Sequence, residues 1–171
     1  MILIRIKAVA SVQQPFSCMN VAYALSYATV RGGKKSSVET YYAPNARILA
    51  VDDNMINLQV IVGLLQPHKI KVDTADGGRE CLRMVKKHQY DLILMDHLMP
   101  DVDGIQALHT IRAEEGNPNQ STPIIALTAN ALEGMEQMYL SEGFDGYLSK
   151  PIATEQLEAL LKQYLLKAKQ E

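Results

Sequence analysis

The chain has 171 residues, of which 47% are hydrophobic and 21% are charged, and these proportions are ordinary for a soluble globular protein. Its 17 basic and 19 acidic residues leave a formal net charge of −2, which argues against general nucleic-acid affinity because that binding needs a basic face. Cys18 and Cys81 are too few and too far apart to indicate a disulfide framework or a zinc site, and they favour a reducing compartment. No stretch approaches the roughly 20 apolar residues that a membrane span requires.

The first 45 residues divide into two parts of different composition. Residues 1–31 carry an apolar strand-like segment, a break at Pro15 and a helix-like segment that follows it. The start of the chain resembles a signal peptide only faintly, because the apolar run Ala8–Val12 is too short for the hydrophobic region of such a peptide. Residues 32–45 are rich in glycine, serine and charge, so we predict a linker that leads to a domain at residues 46–171.

Within residues 46–171, five short apolar runs alternate with helical patterns. The predicted strands are Ile48–Val51, Ile70–Asp73, Leu92–Met95, Pro123–Leu127 and Phe144–Leu148. A helix is predicted at Met55–Leu65 because Ile56, Val60 and Leu64 fall on one face, and Asn54 is its candidate N-cap. A second helix is predicted to begin at Gly78, and a third follows Asp103, which can act as its cap. A fourth is predicted from about Leu132 to Ser141, and a fifth follows Pro151, where leucines recur at helical spacing.

Strands that alternate with helices predict an α/β fold with a doubly wound parallel sheet and helices on both faces. Five strands joined by right-handed crossovers favour the order 2-1-3-4-5. The alternating pattern of the second strand suits a half-exposed edge of that sheet. In this topology the ligand crevice lies between strands 1 and 3, at their carboxyl ends.

Polar side chains follow the predicted strands at the points where they end. Asp52 and Asp53 follow strand 1, Asp96 follows strand 3, Thr128 follows strand 4 and Lys150 follows strand 5. Three carboxylates with one ammonium leave about two net negative charges, a set that favours a cation such as Mg²⁺ with phosphate oxygens. An aspartate can attack a phosphoryl group, and a metal, a lysine and a hydroxyl would stabilise the transferred group.

Residues 46–170 resemble the receiver domain of two-component response regulators over essentially its whole length. The resemblance is carried by the acidic pair in Val51-Asp52-Asp53-Asn54, the aspartate in Leu94-Met95-Asp96-His97-Leu98-Met99-Pro100, the threonine in Ala126-Leu127-Thr128-Ala129 and the lysine in Leu148-Ser149-Lys150-Pro151. It implies a flavodoxin-like receiver fold in which Asp96 accepts a phosphoryl group from a phosphohistidine. It also implies that Asp53, Asp96 and the backbone carbonyl of Leu98 bind Mg²⁺, while Asp52 acts mainly through a metal-bound water.

The same resemblance assigns the remaining site residues and a switch. It implies that Lys150 and Thr128 contact the phosphoryl oxygens, and that Tyr147 is the aromatic that changes rotamer when the domain is phosphorylated. The domain would then be a cytoplasmic, self-phosphorylating phosphoacceptor with slow autodephosphorylation. A haloacid-dehalogenase-like phosphatase is rejected, because Leu98 stands where that family needs a second aspartate. A docking module that no longer accepts phosphate is disfavoured by the intact five-residue set.

The first 31 residues also resemble the end of a degenerate receiver, in which Gln14-Pro15 takes the place of Lys150-Pro151. The alternative is a chance similarity of two short strand–helix units. Two receiver-like segments in series resemble the C-terminal end of a hybrid sensor histidine kinase, so kinase activity would lie in another part of a longer chain. The expected partners are a sensor histidine kinase domain and a histidine-phosphotransfer protein, without nucleic-acid or membrane contact by this segment. We expect no output domain after the last helix. The alternative is a free-standing single-domain response regulator that acts by protein–protein interaction.

Overall fold

The computed structural model describes residues 41–129 and 135–165. The chain divides into two units, residues 1–39 and residues 40–171. The strand–helix segment predicted at residues 1–31 and the linker residues 32–40 lie outside the described residues. Within the described ranges, no helix is long and apolar enough to cross a membrane.

Five strands and five α-helices alternate along the described chain. The strands are β1 (Arg47–Val51), β2 (Lys71–Ala75), β3 (Leu92–Asp96), β4 (Ile124–Thr128) and β5 (Gly146–Ser149). The helices are α1 (Met55–Leu65), α2 (Gly78–Val85), α3 (Gly104–Ala113), α4 (Met135–Glu142) and α5 (Thr154–Leu165), and a 3₁₀ turn at Gln66–His68 follows α1. The start predicted for the fourth helix, near Leu132, lies outside the described residues.

The strands form one parallel sheet in the order β2-β1-β3-β4-β5, which confirms the predicted topology. Every residue of β3 and β4 is buried, as expected for continuous apolar strands covered on both faces. Strand β2 lies at the edge and is only partly buried, which agrees with its alternating pattern.

Two hydrophobic cores lie on opposite faces of the sheet. Alternate residues of β1 supply them, with Ile48 in one core and Leu49 in the other. The first core contains buried side chains of α1 and α5, and the second contains those of α2, α3 and α4. The helices therefore cover both faces, and the parallel pairing brings the carboxyl ends of all five strands to one edge.

The predicted helix is confirmed, but the face that carries Ile56, Val60 and Leu64 is not its buried face, and of the three only Leu64 packs against the first core, partly buried. Ile56 and Val60 are 62% and 42% exposed, whereas Leu58, Ile61 and Leu65 are buried. Apolar residues occupy most positions of this helix, so their spacing does not single out one stripe. At the start of the helix, Asn54 caps the first turn, and the side chain of Asn57 is hydrogen-bonded to Asp52, which directly follows β1.

Residues 41–45, assigned above to the linker, lie against the domain. Ala43 is buried, and its N–H donates to the carbonyl of His68 over 3.0 Å. The His68 ring nitrogen Nδ1 lies 2.7 Å from the carbonyl oxygen of Tyr41. These contacts fasten the entry to β1 at the end of the sheet opposite to the polar residues.

Candidate functional site

The structure brings all five predicted polar residues to the carboxyl edge of the sheet. Asp52 and Asp53 come directly after β1, Asp96 ends β3, Thr128 ends β4 and Lys150 follows β5. Because β1, β3, β4 and β5 are successive neighbours in the sheet, these ends lie side by side. Asp52, Asp96 and Thr128 are buried, while Asp53 is exposed.

Lys150 joins the two buried carboxylates. Its Nζ lies 2.6 Å from Oδ2 of Asp52 and 2.8 Å from Oδ2 of Asp96. Burial lowers the pKa of Lys150, but hydrogen bonds and the negative charges of Asp52 and Asp96 outweigh it, so that the pKa is raised overall. The ammonium therefore stays charged at neutral pH and holds both carboxylates.

Asp52 has two further partners that the sequence reasoning did not assign. Its Oδ1 accepts a hydrogen bond of 2.9 Å from the backbone N–H of Asn54. The side-chain amide nitrogen of Asn57 lies 3.0 Å from Oδ1 and 3.1 Å from Oδ2 of Asp52. The sequence feature that could have indicated the contact with Asn57 is its polar side chain, which stands among largely apolar residues three positions after the cap Asn54.

The three carboxylates are arranged so that they could share one cation. Asp52, Asp53 and Asp96 each offer a carboxylate oxygen, and these atoms all lie within 4.8 Å of one another. A set of oxygen ligands with excess negative charge suits Mg²⁺. The backbone N–H of Leu98 lies 3.3 Å from Oδ1 of Asp96 and helps to orient that carboxylate. The metal role of the Leu98 carbonyl stays a prediction.

A glycine allows α3 to begin against the loop that follows β3. A Cβ atom on Gly104 would lie 2.4 Å from the carbonyl oxygen of Asp96 and 2.8 Å from Cα of His97. The N–H of Gly104 donates to the carbonyl of His97 over 3.1 Å, and the predicted cap Asp103 accepts from Gln106 N–H over 2.8 Å. This close approach fixes the backbone on which Asp96 is carried.

An aromatic group lies beside the site on the face covered by α4. The Tyr139 ring packs edge-on against His97 at 5.3 Å and is stacked on Tyr147 at 6.3 Å between ring centroids. Tyr139 is fully buried, and its hydroxyl has no hydrogen-bond partner among the described residues. The sequence reasoning named Tyr147 but missed His97 and Tyr139, and the switch role of Tyr147 stays a prediction.

Comparison with known proteins agrees with this geometry. The sequence profile of the response regulator receiver domain matches residues 48–162. The signal transduction histidine-protein kinase BarA of Escherichia coli (strain K12) is 42% identical over 117 residues. That match covers 68% of this chain and 12% of BarA, so the chain spans a small part of the length of this relative.

Solved structures with the same fold include two informative neighbours. The receiver domain of a sensor histidine kinase from Pseudomonas aeruginosa PAO1, which has a magnesium ion in its active-site cleft, is 39% identical with a TM-score of 0.63. The match covers 70% of this chain and 96% of that one. A co-crystal structure from Saccharomyces cerevisiae, of the histidine phosphotransfer protein Ypd1 with the receiver domain of Ssk1, matches at 29% identity and a TM-score of 0.62, covering 71% and 89% of the two chains. This chain therefore belongs to the response regulator receiver domain family of two-component signalling.

Proposed function

We propose that Asp96 is the phosphoacceptor of this receiver and takes its phosphoryl group from a phosphohistidine of a partner. The observation that carries the proposal is the cluster at the carboxyl edge of the sheet. There Asp96 has the Lys150 ammonium at 2.8 Å and shares a potential cation site with Asp52 and Asp53. Phosphoryl transfer to an aspartate requires a positioned carboxylate together with positive charge around the transferred oxygens.

In this reaction a carboxylate oxygen of Asp96 forms a bond to phosphorus as the bond from phosphorus to the donor's imidazole nitrogen breaks. The electron pair of the broken bond stays on the imidazole, which takes up a proton from solvent and leaves as neutral histidine. Lys150 and the hydroxyl of Thr128 stabilise the negative charge on the phosphoryl oxygens. Lys150 already contacts Asp96, so it has only a short distance to move toward the new group.

Mg²⁺ is the cofactor that we assign to this site. Asp53, Asp96 and the backbone carbonyl of Leu98 are its proposed ligands, and Asp52 is assigned to the hydration shell of the ion. The donor set supports this assignment, because three carboxylate oxygens within 4.8 Å need a cation to offset their repulsion. When bound, the ion neutralises charge on the phosphoryl oxygens during transfer.

Phosphorylation by a small-molecule donor tests the assignment of Asp96. The protein is incubated with acetyl phosphate and Mg²⁺, and the intact mass is measured for a phosphate adduct. We expect an adduct in the wild type and none in Asp96→Asn or in the presence of EDTA. Asp101→Asn is the matched control, because Asp101 is an exposed aspartate whose positive φ of 66° asparagine also tolerates. An adduct that persists in Asp96→Asn would refute the assignment.

An exposed apolar patch beside the site is proposed to receive the phosphohistidine donor. Met55, Ile56, Val60 and Leu98, which we call the site-edge patch, are between 42% and 68% exposed. Met55 and Ile56 belong to the first turn of α1, which begins at the carboxyl end of β1, and Leu98 follows Asp96 by two residues. A donor that brings its imidazole to Asp96 must cover this edge, and apolar surface there favours contact with a helical phosphotransfer domain.

The docking role of the site-edge patch is tested by comparing phosphorylation by a phosphohistidine protein with phosphorylation by acetyl phosphate. Ile56→Asp should slow phosphotransfer from a phosphohistidine protein such as Ypd1 while leaving phosphorylation by acetyl phosphate unchanged. Tyr42→Asp is the matched control, because Tyr42 is 58% exposed and lies near the amino end of β1, away from the site. Equal transfer rates for Ile56→Asp and Tyr42→Asp would remove the patch from the proposal.

Phosphorylation is further proposed to shift the domain between two states. The phosphoryl group adds a charge of about −1.5 to −2, toward which Thr128 moves while Tyr147 turns into the vacated space. The surface formed by α4, β5 and α5 then changes its conformation. Beryllofluoride with Mg²⁺ should move NMR resonances on that surface, and changes confined to the neighbours of Asp96 would contradict the switch.

The wider setting that we propose is a hybrid sensor histidine kinase in the cytoplasm, with a histidine-phosphotransfer protein as acceptor. Identity to BarA supports this setting, as does the co-crystal structure of Ypd1 with the Ssk1 receiver. A buried free thiol at Cys81 accords with a reducing compartment. An in-frame kinase ATP-binding domain encoded upstream of Met1 would support it, whereas a stop codon there behind a ribosome-binding site would favour a free-standing receiver.

A further inference from the structure

Asp52 is the most deeply buried carboxylate of the site, and its two oxygens are held by three different groups. Lys150 Nζ approaches Oδ2, the N–H of Asn54 donates to Oδ1, and the Asn57 amide nitrogen lies almost equally far from both oxygens, at 3.0 and 3.1 Å. The exposed fraction of Asp52 is 0%. A buried carboxylate must keep such partners, because a lost partner leaves a charge without compensation.

One of these partners is shared with a second carboxylate. Lys150 also contacts Asp96 at 2.8 Å, and in the proposed function it follows the phosphoryl group. Asp52 would then lose its ion pair at the moment when the site needs its negative charge. Asn57 and the Asn54 N–H do not move with Lys150, since both belong to the start of α1.

We propose that Asn57 is a positioning residue that keeps the Asp52 carboxylate oriented toward the metal when Lys150 transfers to the phosphoryl group. An amide suits this task because it donates hydrogen bonds to the carboxylate without cancelling its charge. A lysine or arginine at this position would compete with the cation for Asp52. This inference rests on the proposed function, because it concerns the same metal and the same lysine.

Isothermal titration calorimetry with Mg²⁺ tests the role of Asn57. Asn57→Ala should weaken Mg²⁺ binding by about 10-fold, the lower end of the usual cost of removing a group that supports a metal site, because Asp52 is assigned to the hydration shell of the ion. Alanine favours a helix more than asparagine does, so the helix itself is not impaired, and a thermal melt checks the fold. Gln59→Ala is the matched control, because Gln59 is an exposed amide on the same helix.

A kinetic measurement separates positioning from a merely structural role. In Asn57→Ala the Mg²⁺ concentration that half-saturates phosphorylation by acetyl phosphate should rise about 10-fold or more, while the rate at saturating Mg²⁺ stays close to that of Gln59→Ala. A fall of the saturating rate without a change in half-saturation would overturn the inference.

A double-mutant cycle completes the test. Once Asp52→Asn has removed the charge that Asn57 orients, adding Asn57→Ala should cause no further change in Mg²⁺ affinity. Independent, additive effects would contradict the inference. If the wild type neither binds Mg²⁺ nor becomes phosphorylated, the proposed function itself fails. If the wild type does both and Asn57→Ala matches Gln59→Ala in Mg²⁺ affinity, only the role of Asn57 is refuted.

Discussion

The ammonium of Lys150 lies 2.8 Å from a carboxylate oxygen of Asp96, the proposed phosphoacceptor. In this arrangement the lysine contacts two of the three carboxylates of the potential cation site, Asp52 and Asp96. The same positive charge therefore stabilises the resting site and competes with Mg²⁺ for its ligands.

Replacing Lys150 by methionine should separate these two effects. Mg²⁺ should bind more tightly to Lys150→Met, because a competing cation has been removed from three carboxylates. Phosphorylation by acetyl phosphate should slow by about 100-fold, the order lost when one charge-stabilising donor is removed. Calorimetry and intact mass measure the two quantities, with Lys162→Met on α5 as control. Weaker Mg²⁺ binding in Lys150→Met would contradict the competition.

Mg²⁺ should stabilise the fold by relieving repulsion among the three carboxylates. At about 100 times its dissociation constant, the gain in the free energy of unfolding is about 2.7 kcal/mol. Asp53→Ala should abolish the Mg²⁺-dependent rise in melting temperature, while the exposed Glu115, on the loop after α3, can be replaced by alanine without effect on that rise. An undiminished rise in Asp53→Ala would move the ion to another site.

Gly104→Ala should destabilise the domain by about 1–3 kcal/mol, the usual cost of overpacking. The added methyl group would meet backbone atoms of Asp96 and His97, which cannot turn aside as a flexible side chain would. Gly63→Ala is the control, because nothing lies within 4 Å of its Cβ position and alanine favours the helix by roughly 0.5–1 kcal/mol. Urea unfolding should therefore give opposite shifts of the midpoint for the two variants.

Tyr139→Phe should increase stability by roughly 1 kcal/mol, because it removes a buried hydroxyl for which no hydrogen-bond partner is found among the described residues. Tyr164→Phe provides the contrast, since the Tyr164 hydroxyl donates to the carbonyl of Asp145 over 2.5 Å. The melting temperature should rise for Tyr139→Phe and fall for Tyr164→Phe. A loss of stability in Tyr139→Phe would show that its hydroxyl has a partner in solution.

The thiol of Cys81 should resist alkylation in the folded protein at pH 8. Burial, with a smaller contribution from the charge of Glu80, raises the pKa of Cys81 to about 12. Because the thiolate is the reactive form, little of it is present in the folded state at pH 8. Iodoacetamide labelling of a Cys18→Ser variant should be slow in buffer and fast in urea. Equal rates would contradict the buried environment.

The sheet and the five clustered polar residues could be predicted from the sequence because each depends on a local pattern. Apolar runs that end in Asp52, Asp96 or Lys150 specify both a strand and the residue at its carboxyl end. Parallel topology then places those ends together without further information. The rotation of α1 could not be predicted, because nearly every face of that helix is apolar and the contact of Asn57 with Asp52 lies outside the helical pattern.

The loop after α3 shows the same limit. Its sequence predicts only a polar connection, yet Asn119 is fully buried in it. The Asn119 amide nitrogen donates to the carbonyls of Val85 and His88, both over 2.7 Å, and its oxygen accepts from the N–H of Tyr90 over 2.8 Å. The Asn119 side chain thus serves as the hydrogen-bond partner of backbone groups about thirty residues away in sequence. No local sequence pattern reveals such contacts.

The ion pair between Asp52 and Lys150 joins residues that are 98 positions apart. The chain can form it only after the last strand has docked beside β4, and closing such long loops is a slow part of folding. In a partly folded chain that lacks β5, the Lys150 ammonium would be absent from the site. The carboxylates of Asp52, Asp53 and Asp96 would then repel one another at the carboxyl edge of the sheet. The Asp52–Lys150 pair therefore requires both ends of the domain, and its appearance during refolding would mark the docking of β5.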